Sequence, residues 1–486
     1  MMETLNYDIV RPDPEKEVNS LRAFGYSIET AIADLIDNSV TAGADKISVT
    51  YDIDSFGSHV RIEDNGKGMS EEELINAMKL GSFNPSDERA TNDLGRFGLG
   101  LKTASFSQCK RLSVLSDDGK SSNIRVWDLD KIQDEKEWVL YKKCLDDYSS
   151  RKLGKLKNST GTVILWEKLD RLAETGNPDT DKEDFYRKFE NVKKYLSLVF
   201  HRFLEKKTLS ICINREQISP INPFVISDNN PSQELQENFF TMNGSQISVQ
   251  PYILPHEAKL SKAEQKKYDI IRGWIEHQGI YLYRNDRLII DGSWMDLKFK
   301  QRESQRLIRI CIDITNKHDK EWQIDVKKAS AKIPDIIRKN ILKICTDAIS
   351  RGIKVYTHRG AYIRRKGEKK EIVYTWKCKT RKGEKFYQIN PEHPLFVLIT
   401  DILGDNHQIF RLYLKSIEST IPVGMILNDS YDENVSLRQS LDNEPGQIRK
   451  IYAELIKGMN DSGIDIEQAK ELLKTTDLFS KYYDIL

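Results

Sequence analysis

The sequence has no apolar run of about 18 or more residues, the length that a membrane-spanning helix requires. Its first residues, MMETLNYDIVRPDPEKE, hold acids and prolines where a secretory signal has a basic segment followed by an apolar one. These two absences exclude a membrane protein and predict a cytoplasmic one.

Cysteine is scarce, and neither sign of charge is in excess. The six cysteines are scattered without a CxxC pair, which argues against a disulfide framework and against a zinc site. With 75 Lys and Arg against 74 Asp and Glu, the formal net charge is +1. Only a local cluster of charge can therefore indicate a nucleic-acid partner.

A length of 486 residues predicts two or three domains. The first part, residues 1–206, mixes helical and strand periodicity and ends in the amphipathic stretch Asp184 to Leu204. Strands predominate in the second part, residues 207–335. The third part, residues 336–486, begins with helical periodicity, passes through a basic segment and ends in helices.

Local patterns predict the first elements. Apolar residues at helical spacing predict a helix from Ser27 to Ala44. Two alternating runs, Lys46 to Ile53 and His59 to Ile62, predict strands. Ser70 and Glu73 then form the pattern of a capping box, which predicts the start of another helix.

Asp34 and Asn38 lie four residues apart on the first of these helices, so both project from one face. An amide oxygen suits a hard cation such as Mg2+, and a carboxylate beside it can polarise a water molecule. The exposed polar face of an amphipathic helix would show the same spacing. The pair alone therefore leaves both interpretations open.

A loop from Asp64 to Met69, with the sequence DNGKGM, follows the second strand. Its glycines let the backbone approach a flat ligand closely, and Asp64 can accept a hydrogen bond from an exocyclic amine such as that of a purine. A plain turn is the alternative, because Asp-Asn-Gly is also strong turn chemistry.

A glycine-rich segment with Gly95, Gly98 and Gly100 precedes the start of a predicted helix and Lys102. Free backbone N–H groups, a helix N-terminus and a positive charge suit phosphates. A Rossmann fold is disfavoured, because no buried strand followed by GxGxxG opens a βαβ unit. Thr162 opens a further predicted strand and is uninformative by itself.

These four places, in this order, resemble the GHKL superfamily, which includes gyrase B, MutL, the ninety-kilodalton heat-shock chaperone, histidine kinases and the MORC ATPases. The resemblance implies an α+β fold class. Its first domain would be a Bergerat α/β sandwich, an antiparallel sheet covered on one face by helices, with a lid closing over ATP. The lid sequence GRFGLGLKTAS is most similar to that of the MORC group and its bacterial relatives.

The resemblance assigns binding of ATP and Mg2+ to residues in all four places. They are Asn38 for Mg2+, Asp64 for adenine N6, Gly66, Gly68 and Met69 in the loop beside the adenine, Gly95, Gly98 and Gly100 in the lid, Lys102 on the helix after the lid, and Thr162 near the adenine and its bound water.

Asp34 stands where these ATPases usually carry a glutamate as general base. Aspartate is one methylene shorter, so we expect slow hydrolysis with nucleotide binding intact. Asp37 is the alternative base. Glu29 is not expected to serve, because five residues along a helix turn it away from the face of Asp34.

The second part is similar to the transducer domain of MutL, gyrase and MORC proteins, a βαβ domain, in the segments Gly279 to Ile289 and Trp322 to Lys328. In those families a lysine or arginine from a transducer loop reaches the γ-phosphate. Lys327 and Lys328, just past a predicted strand, are the candidates, with Lys332 next. A solvated basic turn is the alternative. The resemblance covers roughly the first 335 residues.

The segment from Arg351 to Lys385 combines clustered Lys and Arg with interleaved aromatic residues, and we expect it to contact a polyanion, DNA above all. An exposed hairpin with solvated charges is the alternative.

The resemblance implies an ATPase that forms an ATP-dependent homodimer and acts as a clamp on DNA or on a DNA-bound protein partner, in bacterial restriction or antiviral defence. A chaperone of the heat-shock type is the alternative. A histidine kinase is disfavoured, because no histidine precedes the first predicted helix. A topoisomerase or a nuclease is disfavoured because the sequence offers neither a suitable tyrosine context nor a metal-carboxylate cluster.

Overall fold

A computed structural model of the chain describes residues 13–23, 25–54, 57–80, 94, 100–171, 178–224, 231–256, 260–268, 273–325, 328, 330–357, 373–381, 384–404, 407–423, 426 and 445–479. The chain divides into two compact units, Met1–Tyr356 and Thr357–Leu486. Within the described ranges, no helix combines the length and the apolar character needed to cross a membrane.

The first sheet of the larger unit has seven strands in the order β4-β3-β5-β2-β1-β6-β7. They are β1 (Lys46–Asp54), β2 (Gly57–Asp64), β3 (Arg111–Asp117), β4 (Ser122–Asp128), β5 (Gly161–Glu167), β6 (Ser210–Ile213) and β7 (Glu216–Gln217). Neighbouring strands are antiparallel except for β1 and β6, which are parallel. The two strands that alternation predicts are confirmed as β1 and β2, and β6 and β7 extend the sheet past residue 206.

The helices around this sheet are α1 (Pro14–Arg22), α2 (Ile28–Thr41), α3 (Glu71–Met78), α4 (Gly100–Phe106), α5 (Leu129–Glu135), α6 (Asp147–Leu153), α7 (Pro178–Val199) and α8 (His201–Glu205). Ser27 caps α2, and Ser70 and Glu73 form the predicted capping box of α3. The apolar side of α2, including Ile32 and Leu35, packs into the main core between the sheet and the helices.

A second sheet of the same unit has the order β12-β11-β13-β10-β8, with β9 also paired to β10. Its strands are β8 (Gln233–Glu234), β9 (Asn238–Met242), β10 (Ser245–Ile253), β11 (Gly279–Arg284), β12 (Arg287–Ser293) and β13 (Ile308–Ile314). Strands β11 and β13 are parallel. Helices α9 (Lys262–Tyr268) and α10 (Gly273–Glu276) lie between β10 and β11 in the chain, and α11 (Asp335–Thr357) follows β13. Ile337, Ile341 and Cys345 of α11 pack on the core of this sheet.

The smaller unit contains a hairpin and helices: β14 (Trp376–Arg381), β15 (Glu384–Ile389), α12 (Pro394–Leu403), α13 (His407–Ser419), α14 (Pro445–Asp461) and α15 (Ile466–Lys474). Ile448, Met459, Leu473 and Phe479 form its buried core. The α+β fold class with a mainly helical C-terminal part is confirmed.

The amphipathic stretch Asp184 to Leu204 falls in α7 and α8, and the chain leaves helical geometry at Phe200 between them. One local expectation was wrong in detail. The strand expected just before Lys327 is a turn at its described residues, because Gln323 has a φ of +45° and the Trp322 N–H bonds to the His318 carbonyl at 3.0 Å.

Candidate active site

Asp34 is almost entirely buried on α2, with 3% of its side chain exposed. The Tyr26 hydroxyl donates to its Oδ2 at 2.8 Å, and Lys328 Nζ lies 3.2 Å from its Oδ1. Burial raises the pKa of Asp34, and the Lys328 ammonium opposes that rise. A carboxylate with a raised pKa in a protected position suits the task of a general base.

Asp37, one turn further along α2, is held by two cations from the second sheet and its loops. Arg287 Nε lies 3.1 Å from Asp37 Oδ1, and Lys328 Nζ donates to Asp37 Oδ2 at 2.6 Å. All of these groups are buried, with 0% of Asp37, 2% of Arg287 and 8% of Lys328 exposed. We call Asp34, Asp37, Arg287 and Lys328 the buried charge cluster. It joins the first sheet's helix α2 to the second sheet.

Arg287 was missed by the sequence interpretation. It opens β12, a strand that continues with the buried residues Leu288 and Ile289. A charged residue at the head of an apolar strand is the signal that could have indicated it. The predicted candidate Lys328 does reach α2, Lys332 is exposed, and Lys327 lies outside the described residues.

Asn38 is exposed, in contrast to Asp34 one turn earlier on α2. Its amide is therefore accessible to a ligand, while the carboxylate lies behind it in the buried charge cluster. Oxygen ligands of this kind suit Mg2+, which binds through few protein groups and keeps several waters.

Asp64, at the end of β2, is a buried carboxylate with several donors around it. Its Oδ1 accepts from the backbone N–H groups of Gly66 at 2.9 Å and Thr162 at 3.3 Å, and its Oδ2 accepts from the Ser39 hydroxyl at 2.8 Å. Three of the roughly four acceptor positions of a carboxylate are thus used by described residues. One position remains for an amine such as adenine N6. Ser39 was missed, although it directly follows Asn38.

At two glycines near Asp64 the backbone packs so closely against other strands that a Cβ atom would clash. Gly68 has a φ of +70°, and a Cβ placed on it would lie 1.8 Å from the Asp117 carbonyl oxygen. Gly161, just before Thr162, has a φ of +142°, and its Cβ would lie 2.2 Å from the Asp64 carbonyl oxygen. These contacts bind the Asp64 loop to the ends of β3 and β5. Met69 is half-buried against the main core.

Gly100 opens α4, and a Cβ placed on it would lie 3.7 Å from Asp34 Oδ2. The start of α4 is therefore beside the candidate base. Lys102 is buried in the same helix, where its Nζ donates to the Ala77 carbonyl at 2.9 Å, and burial lowers its pKa to about 8. Gly95 and Gly98 lie outside the part of the chain that the structure describes.

The residues present fit ATP and Mg2+. Three features support this fit. Asp64 is a buried carboxylate with one acceptor position left, and Asn38 is an exposed amide one turn from the buried Asp34. Helix α4 begins beside Asp34. Asp64 would hold the adenine amine, Asn38 would hold Mg2+, and Lys328 would be available for the terminal phosphate. Bound Mg2+ would supply positive charge that neutralises the phosphates.

Comparison with known proteins agrees with this geometry. Residues 26–162 match the family described as Histidine kinase-, DNA gyrase B-, and HSP90-like ATPase. ATPase morc-1 of Caenorhabditis elegans is 23% identical over 335 residues, which are 60% of this chain and 36% of that protein. DNA mismatch repair protein MutL of Thermosipho melanesiensis is 30% identical over 129 residues, covering 26% of this chain and 23% of MutL. MutL of Aeromonas hydrophila is 34% identical over 98 residues, covering 19% of this chain and 15% of that protein.

Residues 26–162 thus match an ATPase domain of the GHKL type. The chain is similar in sequence to MORC and MutL proteins, and the resemblance that the motifs indicate is confirmed. The chain spans little more than a third of the length of the MORC relative and less than a quarter of each MutL.

Proposed function

We propose that this protein is a slowly hydrolysing, Mg2+-dependent ATPase that dimerises on binding ATP and acts as a clamp on DNA or on a DNA-bound partner. The observation that carries the proposal is the buried charge cluster, in which Lys328 lies between Asp34 and Asp37 of α2. Lys328 comes from a loop that follows the second sheet, so its contact with a bound nucleotide would connect that nucleotide to the second sheet.

Asp34 would accept the proton of the water that attacks the γ-phosphate. To do so it must have an oxygen available, which requires Lys328 Nζ to shift from Asp34 Oδ1. The γ-phosphate offers Lys328 an alternative anion. Such a shift leaves Asp37 paired, because Arg287 stays at its Oδ1. The cluster thus allows Lys328 to contact the phosphate without leaving an unpaired buried carboxylate at Asp37.

Slow turnover follows from the length of the base. Aspartate is one methylene shorter than glutamate, and misplacement of a catalytic group by about 1 Å can cost on the order of a hundredfold in rate.

Asp34→Asn should keep ATP binding, lose hydrolysis and accumulate the ATP-bound dimer. Asn38→Ala should lose Mg2+-dependent binding itself. Calorimetry and phosphate release measured on both variants distinguish the two roles, and wild-type hydrolysis in Asp34→Asn would contradict the assignment of the base.

ATP can favour a dimer only if it binds the dimeric state more tightly. A contact between Lys328 and the γ-phosphate would supply this difference between ATP and ADP. Light scattering with a non-hydrolysable ATP analogue should therefore report a dimer, and with ADP a monomer. A monomer at all concentrations with the analogue would rule out the clamp.

The DNA contact is proposed for the segment Arg351 to Lys385, whose residues 358–372 and 382–383 lie outside the described ranges. The hairpin β14–β15 overlaps the end of this segment and supports the proposal with exposed aromatic side chains: Trp376, Phe386 and Tyr387 are 40%, 42% and 55% exposed. Lys379 pairs in register with Phe386 and is exposed too. Lysines with aromatic side chains suit a nucleic-acid strand.

Reversing Arg364, Arg365 and Lys366 to glutamate should weaken DNA binding and flatten its dependence on salt, because each phosphate that the protein neutralises makes the affinity fall by about one log unit per log unit rise in salt. Lys131, Lys470 and Lys474, each in an ion pair with a residue three positions away on its own helix, provide a control with the same number of charge reversals. Equal effects of the two sets, or no effect of the first, would remove the segment from the DNA-binding surface.

We propose bacterial restriction or antiviral defence as the biological setting. This part of the proposal rests only on the similarity of the glycine-rich segment to that of the MORC group and its bacterial relatives.

A further inference from the structure

Tyr26 lies in the short connection before α2, and its hydroxyl is shared between two helices. It donates to Asp34 Oδ2 of α2 at 2.8 Å. The side chain of Thr103, buried in α4, lies within hydrogen-bonding reach of this hydroxyl. The position of Tyr26 is fixed further by its backbone carbonyl, which accepts from Gln108 Nε2 at 2.9 Å. Tyr26 itself is buried.

The two oxygens of Asp34 have different neighbours. Oδ2 holds the Tyr26 hydroxyl and faces the start of α4, where a Cβ on Gly100 would lie 3.7 Å away. Oδ1 lies beside Lys328 Nζ at 3.2 Å. When Lys328 moves to a phosphate, as the proposed function requires, Tyr26 is the contact that still fixes the plane of the carboxylate. A short carboxylate tolerates little error in its orientation.

We propose that Tyr26 is a positioning residue for hydrolysis, which orients the Asp34 carboxylate and ties it to α4 through Thr103. This inference rests on the proposed function, in which Asp34 is the general base. It differs from that function in naming a residue outside α2 and outside the glycine-rich segment. The Tyr26 hydroxyl does not need to contact the nucleotide, because it acts through Asp34.

Tyr26→Phe removes the hydroxyl and keeps the ring. Loss of a hydrogen bond to a charged group corresponds to about a tenfold effect, so kcat should fall about tenfold while KM and ATP affinity by calorimetry stay unchanged. Thr103→Val breaks the same link from the side of α4 and should lower kcat by a smaller factor. Tyr148→Phe is the matched control, because Tyr148 also hydrogen-bonds an aspartate, Asp54 at 3.0 Å, away from the site. It should leave kcat unchanged.

A double-mutant cycle with Asp34→Ala, measured by chemical unfolding without nucleotide, tests the contact independently of turnover. Tyr26→Phe should reduce the folding equilibrium constant about tenfold more in the wild-type background than in the Asp34→Ala background. Additive effects would overturn the inference. So would an unchanged kcat in Tyr26→Phe, or a fall in ATP affinity that accounts for the whole loss. Absence of ATP turnover in the wild-type protein would instead contradict the proposed function, while the unfolding cycle would still decide whether Tyr26 and Asp34 are coupled.

Discussion

Replacing Lys328 by methionine removes one charge from the buried charge cluster and keeps most of the side-chain volume. The cluster then has one cation, Arg287, for the two carboxylates Asp34 and Asp37, which are 3% and 0% exposed. Removing one partner of a buried ion pair costs about 3–5 kcal/mol, because a buried charge is left without compensation. We expect Lys328→Met to lose that much free energy of unfolding, measured in urea at pH 8.

The loss should depend on pH with a defined sign. Burial already raises the pKa of Asp34, and the variant lacks the ammonium that opposes the rise. A carboxyl whose pKa is raised in the folded state favours folding below its unfolded pKa, and this contribution is lost as the pH rises through the folded pKa. The deficit of Lys328→Met should therefore be largest near pH 8 and should shrink as the pH falls towards the ordinary pKa of an aspartic acid side chain.

A second substitution decides whether the deficit comes from Asp34. Adding Asp34→Asn to Lys328→Met removes the uncompensated charge and should restore part of the stability, although Asp34→Asn alone should not stabilise the protein. Lys332→Met is the control, since Lys332 is an exposed lysine of the same loop. If Lys328→Met and Lys332→Met both lose less than about 1 kcal/mol, the reasoning about a buried cluster is wrong.

Three further outcomes are expected. Asp64→Ala should weaken ATP binding about ten- to a hundredfold in calorimetry, because the adenine amine loses a charged acceptor, and unchanged affinity would remove the pocket assignment. Gly68→Ala should sharply lower the melting temperature, since its Cβ would lie 1.8 Å from the Asp117 carbonyl, whereas Gly119→Ala has 3.3 Å to its nearest atom and should lose much less. Because burial lowers the pKa of Lys102 to about 8, the wild-type free energy of unfolding should rise from about pH 8 towards the ordinary lysine pKa; Lys102→Met should lack this rise, and an identical pH profile in both proteins would contradict it.

The parts of the fold that sequence predicts are those set by local patterns. The helix from Ser27 needs only a cap and apolar residues at helical spacing, and β1 and β2 need only alternation. The capping box of α3 is a contact between residues three apart. Each of these signals lies within a few residues, so that one sequence suffices to find it.

The contacts that complete the candidate site are long-range, and no local pattern encodes them. Arg287 and Asp37 are 250 residues apart, and Lys328 and Asp37 are 291 apart. Tyr26 and Asp34 are closer in the sequence, but Tyr26 precedes α2, so helical spacing does not predict their hydrogen bond. The turn at Gln323 shows how a local pattern can mislead. Trp322 and Ile324 alternate with polar residues as in a strand and are both buried, but the backbone between them has a positive φ and forms a turn.

The same long-range contacts bear on which aspartate is the base. Asp37 is wholly buried, and its two oxygens are held by Arg287 and by Lys328. Asp34 Oδ2, by contrast, holds a neutral hydroxyl and faces the start of α4, the helix that follows the glycine-rich segment. A general base must present an oxygen towards the phosphate and must lose any competing cation when substrate arrives. Movement of Lys328 would free an oxygen of either aspartate, but Asp37 would keep the buried Arg287 cation beside it, which weakens it as a base, whereas Asp34 would keep only the neutral Tyr26 hydroxyl. We therefore infer that Asp34 is the base and that Asp37 anchors the second sheet to α2.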